Sequence, residues 1–392
     1  MNPATPAMRR IFFLTGARSE YDLLVPIIRG VALTPGLSAE VVAVAGHLSP
    51  FHGMGINQIR ADGFSIAGTV ESLLSSESWE GRCLSFTQLM EGLTRLLSRN
   101  RPDILFVAGD REEALAGAIV ANFLGIPVAH SHGGDRCCAS ELDEVLRPAI
   151  SKLAHLHFTA TEGHRKRLIG MGERPELIWA VGATGLDRLR TEPNVAPSVL
   201  EQEFGVDIHQ PFFLLIYHPS PLFNPEDGGK EMAEILEGIL SLDHPVFCSY
   251  PNFDPGNIAI RKAIDAAKAG TDKLIVYHNL SRDRFVSLYR RCAAIVGNSS
   301  SIVLESGFLK VPGILVGHRQ DFRETGPNVL QVEATALEVS AACQRALQDK
   351  AFREQVRSSP SLYGDGHTAP RIAKILLEAE LNRDLLLKMM TY

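Results

Sequence analysis

Short apolar runs bounded by turn residues alternate along this chain with stretches whose apolar residues recur about every 3.6 positions. That alternation constrains the fold more than any other feature. It specifies β-α-β units, in which a strand hidden on both faces pairs in parallel with the next and a helix crosses between them. Ile11–Leu14, Val41–Ala45, Ile104–Ala108, Val128–His130 and Leu156–Thr159 read as strands, separated by helical stretches such as Leu23–Leu33, Ser85–Ser98 and Glu112–Leu124. Pro102-Asp103 ahead of Ile104 marks a sharp boundary, because proline cannot continue the preceding helix.

A second series comes after the proline-bearing stretch Thr191–Pro197: Phe212–Tyr217, Val246–Ser249, Leu274–Tyr277, Ala294–Val296 and Gly313–Val316. At 392 residues the chain exceeds one ordinary core and divides into two α/β domains. We place a Rossmann-like, doubly wound domain at 1–190, a second at 198–367 and a final helix at 368–392, crossing back to the first. Open parallel sheets bind ligands at the carboxyl ends of their strands, so two such domains are expected to face a central cleft.

Composition narrows the partners. A net charge of −6 excludes a general nucleic-acid binder while leaving room for a local phosphate pocket. No apolar run reaches the ~20 residues that span a bilayer, and the first ten residues lack a secretory core, which predicts a cytoplasmic protein without a membrane partner. The six cysteines form no CxxC pair, so neither a disulfide framework nor a structural zinc site is indicated, and adjacent Cys137 and Cys138 read as loop fillers.

The residues with chemistry gather where predicted strands end. Thr15-Gly16-Ala17-Arg18 is a tight strand-to-helix turn whose amides and Arg18 suit a phosphate. Asp110 comes after the Ile104–Ala108 strand, either as helix cap or as catalytic acid. His130-Ser131-His132-Gly133-Gly134-Asp135 ends the next strand, and Asp143, Glu144 and Arg147 share the helix after it. Asp143 and Arg147, four apart, are placed to pair on one face. Crowded carboxylates raise one another's proton affinity, which suits acid–base work. His132 has no third ligand at metal spacing, so no metal is indicated. In the second series His218 ends the first strand, while Gly297-Asn298-Ser299-Ser300-Ser301 precedes a helix bearing Glu305. The serines offer donors to a diphosphate beyond what a cap needs, and Glu305 an acceptor for ribose hydroxyls.

The ordered set resembles the hydrolysing UDP-N-acetylglucosamine 2-epimerases of the sialic-acid-pathway type. It runs from Thr15-Gly16-Ala17-Arg18 through Gly109-Asp110-Arg111-Glu112, His130–Asp135, Leu142–Arg147 and Lys152–Phe158 to Gly297–Ser301, His318-Arg319-Gln320 and Tyr363-Gly364-Asp365-Gly366. The resemblance implies the GT-B fold, a homo-oligomer (dimer or tetramer), no cofactor and a nucleotide-sugar substrate linked to UDP or GDP. It implies proton abstraction at C2, elimination of the nucleotide to a glycal and addition of water, releasing an N-acetylmannosamine-type sugar. Asp110, His132, Asp135, Asp143, Arg147 and His218 fall on catalytic positions, and Arg18, Glu144, Ser299, Ser300, Ser301, Glu305 and Arg319 on substrate-binding ones. The chain departs from the family pattern at Asp135, Arg136-Cys137-Cys138, Pro148, Ile302 and Asp321-Phe322-Arg323-Glu324. Two other readings stay open: a non-hydrolysing epimerase or glycosyltransferase on the same fold, and a sugar-nucleotide binding protein with altered chemistry.

Overall fold

Strand Ile104–Ala108 has the bounds its apolar run predicts, with all five residues fully buried, in a computed structural model that describes residues 8–74, 78–137, 141–220, 227–252, 254–278 and 280–391. It is β4 of a seven-stranded parallel sheet comprising β1 (Arg9–Thr15), β2 (Leu37–Val44), β3 (Ser65–Val70), β4, β5 (Val128–Ser131), β6 (Leu156–Thr159) and β7 (Ile178–Ala180). Their order is β3-β2-β1-β4-β5-β6-β7, so the winding reverses between β1 and β4. A doubly wound sheet opens its ligand crevice at such a reversal.

The first unit comprises the described residues up to Asp135, Leu142–Arg188, and those from Asp365 on. Alternation along β1 sends Ile11 and Phe13 to one face and Phe12 and Leu14 to the other. On the first face the helices Arg18–Ala32 and Thr368–Glu378 cover the sheet and pack on each other, and a Cβ at Gly30 would lie 3.2 Å from that of Ala369. The other face is covered by helices Trp79–Arg99, Glu112–Phe123 and Glu141–Leu153. The single closing helix predicted for 368–392 is two pieces. Thr368–Glu378 stops at Ala379, and Arg383–Leu386 restarts behind an Asn382 cap that accepts from the Leu385 amide at 2.9 Å.

The second unit, Leu189–Gly364 with Arg136, Cys137 and Glu141, holds a six-stranded parallel sheet. Its strands are β8 (Phe213–Ile216), β9 (Val246–Ser249), β10 (Leu274–Tyr277), β11 (Ala294–Gly297), β12 (Gly313–Val316) and β13 (Val329–Val332), ordered β10-β9-β8-β11-β12-β13. Here the reversal lies between β8 and β11. Gly297 ends β11 at φ +128°, and a Cβ there would sit 1.9 Å from the Ile216 carbonyl oxygen, so only glycine lets the two strand ends converge. Among the described residues, five strands belong to the predicted first series and five to the second; β3, β7 and β13 are additional.

Candidate functional site

In the first unit the turns after β1 and β4 sit at the sheet reversal, with the turn after β5 beside them. Asp110 is preceded by Gly109, whose amide donates to the Ser131 carbonyl at 3.0 Å. The Arg147 guanidinium, its side chain only 3% exposed, forms a short ion pair with Asp110, a second with Glu144 at 2.7 Å, and donates to the Asp135 carbonyl at 2.9 Å. One buried cation therefore fixes three of the predicted acidic positions. A fork of several donors suits this better than an ammonium would. Asp143 occupies the same helix, one turn before Arg147.

His132 adopts a left-handed φ of +68° and presents Nδ1 to the Ser131 hydroxyl at 3.3 Å, while its amide donates to the Phe158 carbonyl at 3.1 Å. Asp135 lies 3.4 Å from Nε2 of His164, a buried histidine absent from the predicted site. His164 stands just past a strand end, in the first turn of the helix after β6, and the rule that finds Asp110 is sufficient to find it. His155 lies just before β6 and His157 within it, and both are buried. Nδ1 of His155 accepts from the Val128 amide at 3.0 Å, and His157 donates to Glu173 at 3.1 Å.

The Gly16 turn departs from its expected use. Its amide, read as a phosphate donor, is already taken by Glu20 Oε2 at 2.8 Å. Glu20 is buried beside Glu113, and burial together with that neighbour raises its carboxyl to about 8. Glu113 is in turn paired with Arg111 at 3.1 Å. Arg18 stands exposed at the start of the next helix. A cavity of about 710 Å³ opens here, lined by Arg18, Arg111, Arg188, His47 and Asn57 among others. Its cations can receive an anionic group that the Gly16 amide cannot.

In the second unit, His218 and the Gly297–Ser301 turn meet at the β8/β11 reversal. The Asn298 side chain clamps the His218 backbone, accepting from its amide at 2.7 Å and donating to its carbonyl at 2.8 Å. Nδ1 of His218 accepts from the Asn252 amide at 3.2 Å, which leaves the ring proton on Nε2. Burial, helped by the Arg319 charge, lowers His218 to about 4, so it is a neutral N–H donor at pH 7. Arg319 and Gln320 both donate to the Asn298 carbonyl, at 3.4 and 3.1 Å. Ser299 caps the helix Ser300–Leu304, accepting from the Ser301 amide and hydroxyl at 3.4 and 3.0 Å. The capping that a plain reading of three serines expects is thus carried out by Ser299. Glu305 lies at the break after this helix, where burial raises its carboxyl to about 7 against the opposing charge of Arg282.

That shift carries a pH prediction. A carboxyl raised from 4.5 unfolded to about 7 folded favours the folded chain at low pH, and this contribution is lost as pH rises through that interval. Glu305→Gln is expected to reduce the fall in thermal midpoint between pH 4.5 and pH 7, measured by scanning calorimetry at intervals across the range.

Among the described residues no group of three or more His, Cys, Asp or Glu side chains is disposed to hold a metal, and no helix is long and apolar enough to cross a membrane. Of the departures from the family pattern, Arg136 lies over the Phe322 ring at 5.1 Å, Ile302 is buried, and Cys138 lies outside the described residues.

Comparison with known proteins gives the geometry a context. The profile of the family described as UDP-N-acetylglucosamine 2-epimerase matches residues 31–377. The UDP-N,N'-diacetylbacillosamine 2-epimerase (hydrolyzing) of Legionella pneumophila is 33% identical over 386 residues, covering 98% of this chain and 100% of the relative. The GDP/UDP-N,N'-diacetylbacillosamine 2-epimerase (hydrolyzing) of Campylobacter jejuni is 27% identical, covering 88% and 89%. Among solved structures, UDP-GlcNAc 2-epimerase from Neisseria meningitidis, bound to UDP-GlcNAc, superposes with a TM-score of 0.78 at 19% identity over 94% of this chain and 100% of that one. The fold is GT-B, as the sequence predicts.

Proposed function

The chain belongs to the UDP-N-acetylglucosamine 2-epimerase family, and from that premise we propose that it is a hydrolysing 2-epimerase of a nucleoside-diphosphate N-acetylhexosamine. UDP-N,N'-diacetylbacillosamine is the foremost candidate substrate, ahead of UDP-N-acetylglucosamine. The observation that carries the proposal is the Arg147 grip on Asp110, Glu144 and the Asp135 carbonyl at the reversal of the first sheet. A C2 proton is weakly acidic, so its removal needs a carboxylate held in place, and departure of the nucleotide needs cations and N–H donors. In this reading Asp110 and Asp143 carry the proton transfers, with Arg147 orienting them and His132 and Asp135 lining the sugar. Neutral His218 donates to a phosphate oxygen; Arg18, Ser299, Ser300, Ser301 and Arg319 hold the diphosphate and Glu305 the ribose. Substrate preference for the diacetylated sugar is supported by the 33% relative, which spans nearly the whole chain.

The test is an NMR assay in D2O with UDP- and GDP-linked N-acetylglucosamine and N,N'-diacetylbacillosamine. Free 2-epimerised sugar with deuterium at C2 is the expected product. A 2-epimer still joined to its nucleotide would replace hydrolysis with the nucleotide-retaining reaction, and donors unchanged across the panel would defeat the proposal. Ser300→Ala is expected to weaken UDP binding about 10-fold by titration calorimetry, in keeping with loss of a hydrogen bond to a charged group, while kcat at saturating donor changes less.

A further inference from the structure

The helix that carries Asp143, Glu144 and Arg147 ends at Leu153 against a residue from the far end of the chain. Lys388 donates to the Ala154 carbonyl in a short contact and lies 3.4 Å from the Ser151 carbonyl. Both belong to the last turn of the helix, where carbonyls lack the full set of intrahelical donors and a cation is also favoured by the helix dipole; the Ser151 carbonyl accepts from the Ala154 amide at 3.2 Å as well. The same ammonium pairs with Glu173, which is 3% exposed and is bound from other sides by Lys152 at 2.7 Å and His157 at 3.1 Å. Burial acts to raise the Glu173 carboxyl, but these three donors hold it down at about 2. The Lys388 segment is itself anchored. Leu385 enters the first core, Asp384 pairs with Arg174 at 3.1 Å, and the Thr391 amide donates to the Gly172 carbonyl at 3.2 Å.

From the end of this helix a buried polar path leads to the catalytic turn. The Ser151 hydroxyl lies 3.0 Å from the Arg147 carbonyl and 3.2 Å from Nδ1 of His130. Nε2 of His130 lies 2.8 Å from the Gly109 carbonyl, which can only accept, so the ring proton is there, and the single Ser151 hydroxyl proton is shared between two acceptors, Nδ1 of His130 and the Arg147 carbonyl. Burial lowers His130 to about 3, so this neutral arrangement holds throughout the working range of pH. Gly133 leaves the pair its room: a Cβ at that position would lie 2.8 Å from the Ser151 hydroxyl and 3.2 Å from Nδ1 of His130. Gly109 is bonded directly to Asp110. Helix end, Ser151, His130 and the Asp110 turn thus form one continuous hydrogen-bonded path, while Arg147 closes the circuit through its side chain.

We propose that Lys388 is a positioning residue: by fixing the C-terminal end of helix Glu141–Leu153 against Glu173, it holds Ser151 and His130, and through them sets Asp110 against Arg147. The catalytic consequence rests on the function proposed above; the structural link does not. Misplacement of a catalytic group by about 1 Å, caused from a distance, costs up to about 100-fold in rate, and such buried networks act as units.

The experiment uses the full chain with Lys388→Met and Lys388→Arg, each taken through hydrogen–deuterium exchange and through kinetics on whichever donor the wild type converts. Lys388→Met is expected to speed amide exchange in 141–154 and 109–111 and to lower kcat about 10-fold with little change in KM, while the thermal transition remains cooperative. Lys388→Arg, which keeps a donor for the carbonyls and Glu173, is expected to restore most of both. Exchange in 109–111 unchanged in Lys388→Met overturns the proposal, as does faster exchange with kcat unaltered, since a merely structural anchor would give that. If wild type converts no donor, the assigned activity falls, and the exchange comparison alone decides whether Lys388 sets the Asp110 turn.

Discussion

Asp110→Asn is expected to lower turnover about 10²–10⁴-fold, the range associated with loss of a positioned acid or base, while UDP binds nearly as before. The substitution keeps the size of the side chain and an oxygen for Arg147, so the ion pair becomes a hydrogen bond from the guanidinium to an uncharged amide and the turn after β4 is retained. The capacity to take up a proton disappears. Single-turnover kinetics beside calorimetry with UDP separates the two quantities. A parallel fall of affinity and turnover would mean that Asp110 serves to bind the donor, and a variant as active as wild type would place the base elsewhere.

Arg147→Met is the second large effect, and it acts on stability and chemistry together. The side chain is 3% exposed, and its removal leaves the Asp110 and Glu144 carboxylates, exposed by 27% and 33%, facing each other without the cation between them. Breaking a buried pair from one side costs about 3–5 kcal/mol. The carboxylates retain partial contact with water, so a loss of about 3 kcal/mol is expected. For a unit of this size that lowers the thermal midpoint by about 6–12 °C. Turnover at a temperature where the variant is folded should fall by at least the factor expected for Asp110→Asn. A variant with the wild-type midpoint would show that the two carboxylates gain nothing from the arginine, and would remove the physical basis of the site.

The parts of the fold that can be read in the sequence are those decided by local burial. β4 contributes residues to the apolar layers on both faces of its sheet, so it is uniformly buried and its apolar run coincides with the strand. β3 is different. It is an edge strand with mostly half-exposed residues and a glycine, Gly68, in its middle, where a side chain would collide with Leu96. β13 is likewise an edge strand with no fully buried residue, and β7 is three residues long. Such strands owe their existence to a neighbour's backbone rather than to their own hydrophobicity. A closing helix running to the end of the chain is the natural expectation because 379–392 contains neither glycine nor proline. Its actual stop at Ala379 leaves the segment beyond to be held by Leu385 and Lys388.

The candidate site divides in the same way. Its members at strand ends, Asp110, His132, Asp135, His218 and the serines, are visible because a doubly wound sheet presents the first residues past each strand at its ligand-binding edge. Which residues they pair with is not. Arg147 reaches back 37 residues to Asp110, Asn298 reaches 80 to His218, and the Asp135–His164 approach joins the ends of different strands. No local pattern specifies such pairs. At Gly16 the sequence does contain the answer, since Glu20 stands one helical turn on, but the turn has two plausible uses and only the fold chooses the internal one.

Ile372, Leu376 and Leu385 pack in the same cluster as Ile11, Phe13 and Leu24, although some 350 residues lie between the two groups. During synthesis at ~5–20 residues per second, the amino-terminal half must therefore wait for the whole of the second unit before its own hydrophobic layer can close. The second sheet, drawn almost entirely from Leu189–Gly364, carries no such delay. The half made first is the half completed last, and until the chain's last helices arrive one of its sheet faces is only partly covered, by Arg18–Ala32.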